Sequence, residues 1–86
     1  MQTLDARGKS CPLPIVLTAK AVKQMAIGSE LTIVADDRAF LPDIEAWCKK
    51  TGHELRGTQA KDGYFEAIVR RTNDRGAYRL IVSALR

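Results

Sequence analysis

The length, composition and charge of the chain limit it to one small globular domain. Its 86 residues are 45% hydrophobic and 28% charged, with a formal net charge of +4. A chain of this size buries only about 60–65% of its unfolded surface, which leaves a modest core and no room for a deep cleft. It has no basic leader followed by an apolar stretch, and no segment approaches the roughly 20 apolar residues of a membrane span. We therefore expect a cytoplasmic protein that does not contact the membrane.

The first half of the chain predicts a strand, a helix and a second strand. Residues 3–6 are a short strand candidate, followed by a turn over 7–10. Gly28 is a stop signal for a helix over 14–26, in which the apolar residues recur at helical spacing: Ile15, Ala19, Val22 and Ala26. The β-branched and apolar run 31–35 predicts a buried strand.

The second half predicts another helix and then a hairpin. Pro42 falls in the first turn of this helix and Gly52 follows its end; its apolar stripe is Leu41, Ile44, Trp47 and Cys48. Residues 53–60 and 64–70 are strand candidates. Asp62-Gly63 between them is a hairpin signal, because both central residues of a type I′ turn need positive φ.

These elements predict an α/β fold, specifically a two-layer α/β sandwich with the order βαβαββ. Helical crossovers favour parallel strands, whereas the final pair is antiparallel, so we expect a four-stranded mixed sheet with two parallel helices on one face. We assign residues 1–71 to this domain and 72–86 to a C-terminal extension. Within the extension, 78–82 is either a fifth strand or part of a short helix.

Cys11 is the most informative residue of the sequence. It lies in the run Ser10-Cys11-Pro12-Leu13-Pro14, directly before the first predicted helix. Pro12 and Pro14 fit this position, because the N–H that proline lacks has no intrahelical partner in the first turn. The positive end of the helix dipole and unpaired N–H groups favour the thiolate, which is the nucleophile. The sequence therefore predicts a reactive Cys11 thiol with a lowered pKa.

The predicted topology places several charged residues at the same edge of the sheet as Cys11. Helix N-termini and the carboxyl ends of parallel strands share one edge, where open α/β sheets usually bind partners. We expect a partner surface there, made of Arg7, Lys9, Asp36, Asp37, Arg38, Lys61 and Asp62. These charges are also what an ordinary solvated surface carries.

The remaining residues able to carry chemistry predict no second site. His53, the only histidine, begins the third strand at the opposite edge, which argues against a Cys-His pair. Cys48 follows Trp47 on an apolar stripe, and a free cysteine there packs as a small hydrophobic residue. Two cysteines and one histidine give no metal-ligand spacing, so we expect neither a metal nor a cofactor, and no disulfide framework.

Several separated blocks resemble the TusA/SirA-like sulfur carrier family over about residues 3–71. The blocks are Leu4-Asp5-Ala6-Arg7-Gly8, Cys11-Pro12-Leu13-Pro14 with Lys20, Ile33-Val34-Ala35-Asp36-Asp37, Asp43-Ile44, Trp47-Cys48, Gly52-His53-Glu54-Leu55 and Asp62-Gly63. The resemblance implies a sulfurtransferase in which Cys11 carries sulfur as a persulfide. Its implied partners are a cysteine desulfurase or another persulfide donor and a downstream acceptor protein. In this family the relay leads to tRNA thiolation, to sulfur oxidation, or to selenium-related and regulatory roles.

Two other classes of function remain open on the sequence. One is a thiol redox regulator, in which Cys11 forms a sulfenic acid or a mixed disulfide. The other is a regulatory module associated with nucleic acid, which the net positive charge permits. The sequence lacks the alternation of aromatic and basic residues that RNA-binding sheets show, and this argues against direct nucleic-acid binding.

Overall fold

The computed structural model describes residues 2–72, which follow the predicted βαβαββ order. The six elements are β1 (Gln2–Asp5), α1 (Leu13–Lys23), β2 (Glu30–Ala35), α2 (Phe40–Thr51), β3 (Glu54–Lys61) and β4 (Tyr64–Arg70). Within this part of the chain, neither helix combines the length and apolar character needed to cross a membrane. The fifth strand or short helix predicted in the C-terminal extension lies outside the described residues.

The four strands form one mixed sheet in the order β1-β2-β4-β3. β1 pairs with β2 in parallel, while β4 is antiparallel to both β2 and β3. β4, the last strand in the chain, therefore lies between β2 and β3. The α/β sandwich expected from the sequence is confirmed, with both helices beginning at the edge where β1 and β2 end.

The core lies between the helices and one face of the sheet. Alternate residues of β2 are buried, as the half-covered strand pattern requires, and Ala67 and Val69 of β4 face the same layer. α2 contributes Phe40, Ile44 and Cys48 at helical spacing. These buried side chains pack α2 against the sheet, and Phe40 and Ile44 hold its first turn in place.

The two helices end in different ways. α2 ends at Gly52, which adopts φ 85° and donates its N–H to the Cys48 carbonyl, as the sequence predicts. α1 ends at Lys23, earlier than predicted, and Gly28 lies in the following loop. The reason is Arg71, whose Nη1 donates to the carbonyls of Val22, Lys23 and Met25 at 2.8, 3.0 and 2.6 Å.

The β3–β4 turn also differs from the prediction. Lys61 pairs with Tyr64, so Asp62-Gly63 is the expected two-residue loop. Gly63 has φ 86°, but no non-glycine residue in the described part of the chain has a positive φ. The type I′ expectation is therefore wrong, because that turn needs positive φ at both positions.

Candidate functional site

The sheet topology gathers three connections at one edge. β1 and β2 are parallel neighbours and both end there, while β3 ends and β4 begins there as well. The connections are residues 6–12, 36–39 and 62–63. Arg7 shows that they approach one another, since its guanidinium lies 5.8 Å from the ring centroid of Tyr64.

Two consecutive carboxylates hold the segment that leads to Cys11. Asp36 accepts hydrogen bonds from the Gly8 N–H, at 3.0 and 3.1 Å to its two oxygens. Asp37 accepts from the Cys11 N–H at 2.5 Å and from the Ala39 N–H at 2.9 Å. These backbone hydrogen bonds, first from Ala39 and then from Cys11, lower the pKa of Asp37. The connection after β2 therefore fixes the backbone of Cys11.

The Cys11 sulfur is exposed and contacts a third carboxylate. Its Sγ donates a hydrogen bond to Oδ2 of Asp43, in the first turn of α2, at 2.8 Å. This hydrogen bond is the main cause that raises the pKa of Cys11; partial desolvation and the negative charges of Asp43 and Asp37 act in the same direction. The predicted low pKa of Cys11 is therefore wrong, because carboxylates rather than cations surround the sulfur.

The helix N-terminus does not supply the N–H groups that the sequence prediction assumed. α1 begins at Leu13, after an N-cap at Pro12, and Pro14 is buried in its first turn. The Leu13 N–H donates to the Ser10 carbonyl at 2.9 Å, and the Ile15 N–H donates to the Pro12 carbonyl at 3.1 Å. Pro12 and Pro14 have no N–H to offer. The N–H groups of the first turn are therefore already hydrogen-bonded, and none of them is left to donate to the sulfur.

Cys11 lines an open groove between α1 and α2. The groove is lined by Cys11, Pro12, Ile15, Asp43, Ala46, Trp47 and Lys50. The peptide bond that joins Cys11 to Pro12 is cis. The α2 residues among the lining recur at helical spacing, and Asp43 and Lys50 are separated by about 10 Å of helix rise. The groove beside the sulfur is therefore lined by apolar side chains together with two charged ones, Asp43 and Lys50.

The charged residues predicted to surround Cys11 fall into two groups. Asp36 and Asp37 are engaged with backbone N–H groups, and Arg7 forms a bidentate pair with Asp5, with both contacts at 2.9 Å. Hydrogen bonding from Arg7 lowers the pKa of Asp5 to about 2. Lys61 lies 3.9 Å from Glu66, and the side chains of Lys9, Arg38 and Asp62 are exposed. All seven residues except Asp37 are exposed, and a partner surface at this edge stays a prediction.

The other candidates lie away from this edge or in the core. Cys48 is 4% exposed, and burial raises its pKa to about 11, as expected for an inert core thiol. His53 follows α2 at the opposite edge and packs on Trp47, with ring centroids 5.4 Å apart. The pKa of His53 is lowered mainly by burial and, to a smaller extent, by the positive charge of Arg71. Within residues 2–72, no three His, Cys, Asp or Glu side chains are grouped to hold a metal ion.

Sequence reasoning missed Asp43 as a site residue. An acidic residue in the first turn of a helix ordinarily complements the helix dipole, which gives it a sufficient structural reason to be there. The signal was the topology itself: both helices begin at one edge, so the first turn of α2 lies beside the residue that precedes α1. Trp47, which the apolar stripe assigns to the core, packs against the core and also lines the groove.

Comparison with known proteins identifies the family. The family model for sulfurtransferase TusA matches residues 2–71. The sulfur carrier protein TusA of Pseudomonas entomophila (strain L48) is 38% identical over 72 residues, covering 84% of this chain and 90% of that protein. TusA of Allochromatium vinosum is 35% identical over 71 residues, covering 83% and 93%. YrkF of Bacillus subtilis (strain 168) is 44% identical over 68 residues; it is longer, and the match spans only 37% of it.

A solved structure shares the fold. The crystal structure of a SirA-like protein from Desulfitobacterium hafniense superposes with a TM-score of 0.74 at 24% identity, covering 85% of this chain and all of that one. The resemblance read from the sequence blocks is confirmed by these matches. The chain belongs to the sulfurtransferase TusA family of sulfur carriers.

Proposed function

We propose that Cys11 is the residue that carries sulfur, as a persulfide, between a donor enzyme and an acceptor protein. The observation that carries the proposal is the contrast between the two cysteines: Cys11 is exposed and lines a groove, whereas Cys48 is buried. Only an exposed sulfur can be reached by the sulfur of another protein. The backbone of Cys11 is also fixed by Asp37, so the sulfur is presented in a defined position.

The uptake reaction is a persulfide exchange. The Cys11 thiolate attacks the outer sulfur of a donor persulfide, R–S–SH; the donor S–S bond breaks and the donor leaves as a thiol after gaining the Cys11 proton. The products are R–SH and Cys11–S–SH, so no external oxidant or reductant is consumed. A cysteine desulfurase is a donor of this chemistry. In the second exchange, an acceptor protein takes the outer sulfur for tRNA thiolation or another sulfur-trafficking pathway.

The surroundings of Cys11 argue against a redox-sensing cysteine. Oxidation to sulfenic acid follows thiolate character and exposure, and redox-sensing cysteines have a low pKa. The hydrogen bond to Asp43 acts in the opposite direction and raises the pKa of Cys11. Leu13 and Val16 in α1 are 48% and 41% exposed, so the helix that follows Cys11 presents apolar surface to a docked protein.

Intact mass spectrometry after incubation with a cysteine desulfurase and free cysteine tests the proposal. We expect the protein to gain one sulfur atom that a reducing thiol removes. Cys11→Ser should show no gain, and Cys48→Ala should behave as the unmodified chain. Sulfur acceptance by Cys11→Ser would refute the assignment, as would a failure of the unmodified chain to accept sulfur from any of several persulfide donors.

A further inference from the structure

We propose that Asp43 restrains Cys11 in both halves of the carrier cycle. In the empty carrier it holds the sulfur as a hydrogen-bonded thiol, and in the loaded carrier it slows the departure of the Cys11 thiolate. This inference rests on the proposed function, because it assigns to Asp43 a role at the sulfur that is exchanged.

The backbone of Asp43 is held in place by its neighbours on α2, whose side chains are buried in the core. Phe40 and Ile44, which flank it on α2, are 1% and 0% exposed, so the first turn of the helix is anchored. From this turn Oδ2 reaches the Cys11 sulfur at 2.8 Å. The Asp43 carboxylate therefore contacts Sγ, the atom that reacts, through a short side chain that extends from an anchored turn.

No basic side chain neutralises Asp43 in the part of the chain that the structure describes. The ion pairs there involve Arg7, Arg56, Lys61 and Arg70, each with another carboxylate. Lys50 also lines the groove, but it lies about 10 Å further along α2 than Asp43. No ion pair with a basic side chain among residues 2–72 therefore offsets the Asp43 carboxylate beside the sulfur.

The groups that face the sulfur come from two elements. Asp43 approaches from α2, and Asp37 approaches from the connection after β2 through the Cys11 N–H. Both are acidic, and both charges raise the pKa of Cys11 together with the Asp43 hydrogen bond. The local field thus opposes a negative charge on this sulfur.

The same negative charge must form on Cys11 in each exchange. During uptake Cys11 loses its proton and attacks the outer sulfur of the donor, whose thiolate leaves and is protonated. During release a thiolate of the acceptor attacks the outer sulfur of Cys11–S–SH, the S–S bond breaks, and Cys11 leaves as a thiolate that regains a proton. Because both steps pass through charge on Sγ, one carboxylate slows both.

Such a restraint suits an exposed carrier cysteine. Exposed thiolates are the cysteines most readily oxidised or alkylated by small molecules. Holding the sulfur as a thiol limits these side reactions while leaving it accessible to a protein partner. A thiol with a raised pKa is also a stronger nucleophile once it is deprotonated.

The test compares Asp43→Asn with the unmodified chain and with Glu45→Gln. Glu45 is an exposed acid two residues along α2 that does not contribute to the raised pKa of Cys11, so Glu45→Gln is a matched control that removes the same charge. Asp43→Glu keeps the carboxylate. Alkylation of Cys11 by iodoacetamide is followed against pH by mass spectrometry, with circular dichroism as a check on the fold.

For Asp43→Asn we expect the rate–pH profile to shift to lower pH and the rate at pH 7 to rise by at least about threefold, because the rate follows the thiolate fraction. The lower intrinsic nucleophilicity of the more acidic thiol offsets only part of this gain. Glu45→Gln should match the unmodified chain, and Asp43→Glu should fall nearer to it than Asp43→Asn does. An unchanged profile for a folded Asp43→Asn would overturn the proposal.

The exchange steps are then measured with glutathione persulfide as donor and dithiothreitol as acceptor. We expect Asp43→Asn to load and unload sulfur faster than the unmodified chain. Slower loading would overturn the restraint and indicate that Asp43 instead assists deprotonation. Should no variant load sulfur from any donor, the carrier function itself fails, whereas the alkylation profile still decides whether Asp43 controls the thiol.

Discussion

Substitution of Arg71 by methionine should destabilise the domain, although the sequence gives no reason to distinguish this residue from Arg70. Arg71 ends α1 by donating Nη1 to the carbonyls of Val22, Lys23 and Met25. The contacts to Val22 and Met25 are partly buried, whereas the contact to Lys23 is exposed. Methionine keeps the apolar stem of the side chain and removes only the guanidinium.

The magnitude follows from these contacts. One Nη1 has two hydrogens, so three carbonyl contacts amount to about two good hydrogen bonds. A charge-assisted bond contributes roughly 1.5–3 kcal/mol, and water can replace part of it at a half-exposed position. We therefore expect Arg71→Met to lower the free energy of unfolding by about 2 kcal/mol, which is a fall of roughly 8–16 °C in Tm for a domain of this size.

Urea unfolding followed by Trp47 fluorescence measures this loss, with Arg70→Met as the matched control. Arg70 is exposed and lies 3.9 Å from Glu54, a pair that contributes at most about 0.5 kcal/mol. An independent readout is the pKa of His53, which the charge of Arg71 lowers in addition to burial. Arg71→Met should therefore raise that pKa, and Arg70→Met should not. Equal stabilities for the two variants would refute the assignment of Arg71 as the group that ends α1.

Two further predictions concern the core thiol and the partner surface. Cys48→Ala should lower the free energy of unfolding by about 1 kcal/mol, because Cys48 is buried, and thermal unfolding measures this loss. The same variant should still load sulfur at Cys11, and a loss of loading in the intact mass would contradict the assignment of Cys48 to the core. Lys9→Glu should slow loading from a protein donor more than Lys49→Glu does, and added salt should slow the unmodified chain, because Lys9 is an exposed charge at the Cys11 edge and Lys49 lies in the last turn of α2. Equal rates for the two variants would mean that this edge does not meet the donor.

The fold could be predicted from the sequence because its elements have strong local signals. The apolar run of β2 predicts a strand, and the apolar stripe of α2 with Gly52 after it predicts a helix, without reference to the rest of the chain. The end of α1 was misplaced because its cause lies 48 residues further along, where the Arg71 guanidinium meets the Lys23 carbonyl. A local stop signal such as Gly28 does not reveal a contact of that kind.

The candidate site was only half predictable for the same reason. The exposure of Cys11 follows from its place before a Pro-rich helix start, and the shared sheet edge follows from the element order. Whether the sulfur keeps its proton depends on Asp43, which lies 32 residues further along the chain. Its Oδ2 accepts a hydrogen bond from the Cys11 Sγ at 2.8 Å. The general preference of helix N-termini for thiolates does not apply here, because the N–H groups of the first turn are already hydrogen-bonded and the Asp43 hydrogen bond favours the thiol.

The parallel pairing of β1 and β2 explains how so small a domain builds a site without a cleft. The two strands run side by side, and the Ala6 N–H continues the ladder to the Val34 carbonyl at 2.7 Å. The connection after β1 therefore lies directly against the connection after β2, whose carboxylates hold the backbone that leads to Cys11. The helix that follows that second connection supplies Asp43. Because one continuous stretch of chain both positions the sulfur and opposes its ionisation, the fixed geometry of Cys11 and its restrained reactivity have the same structural origin.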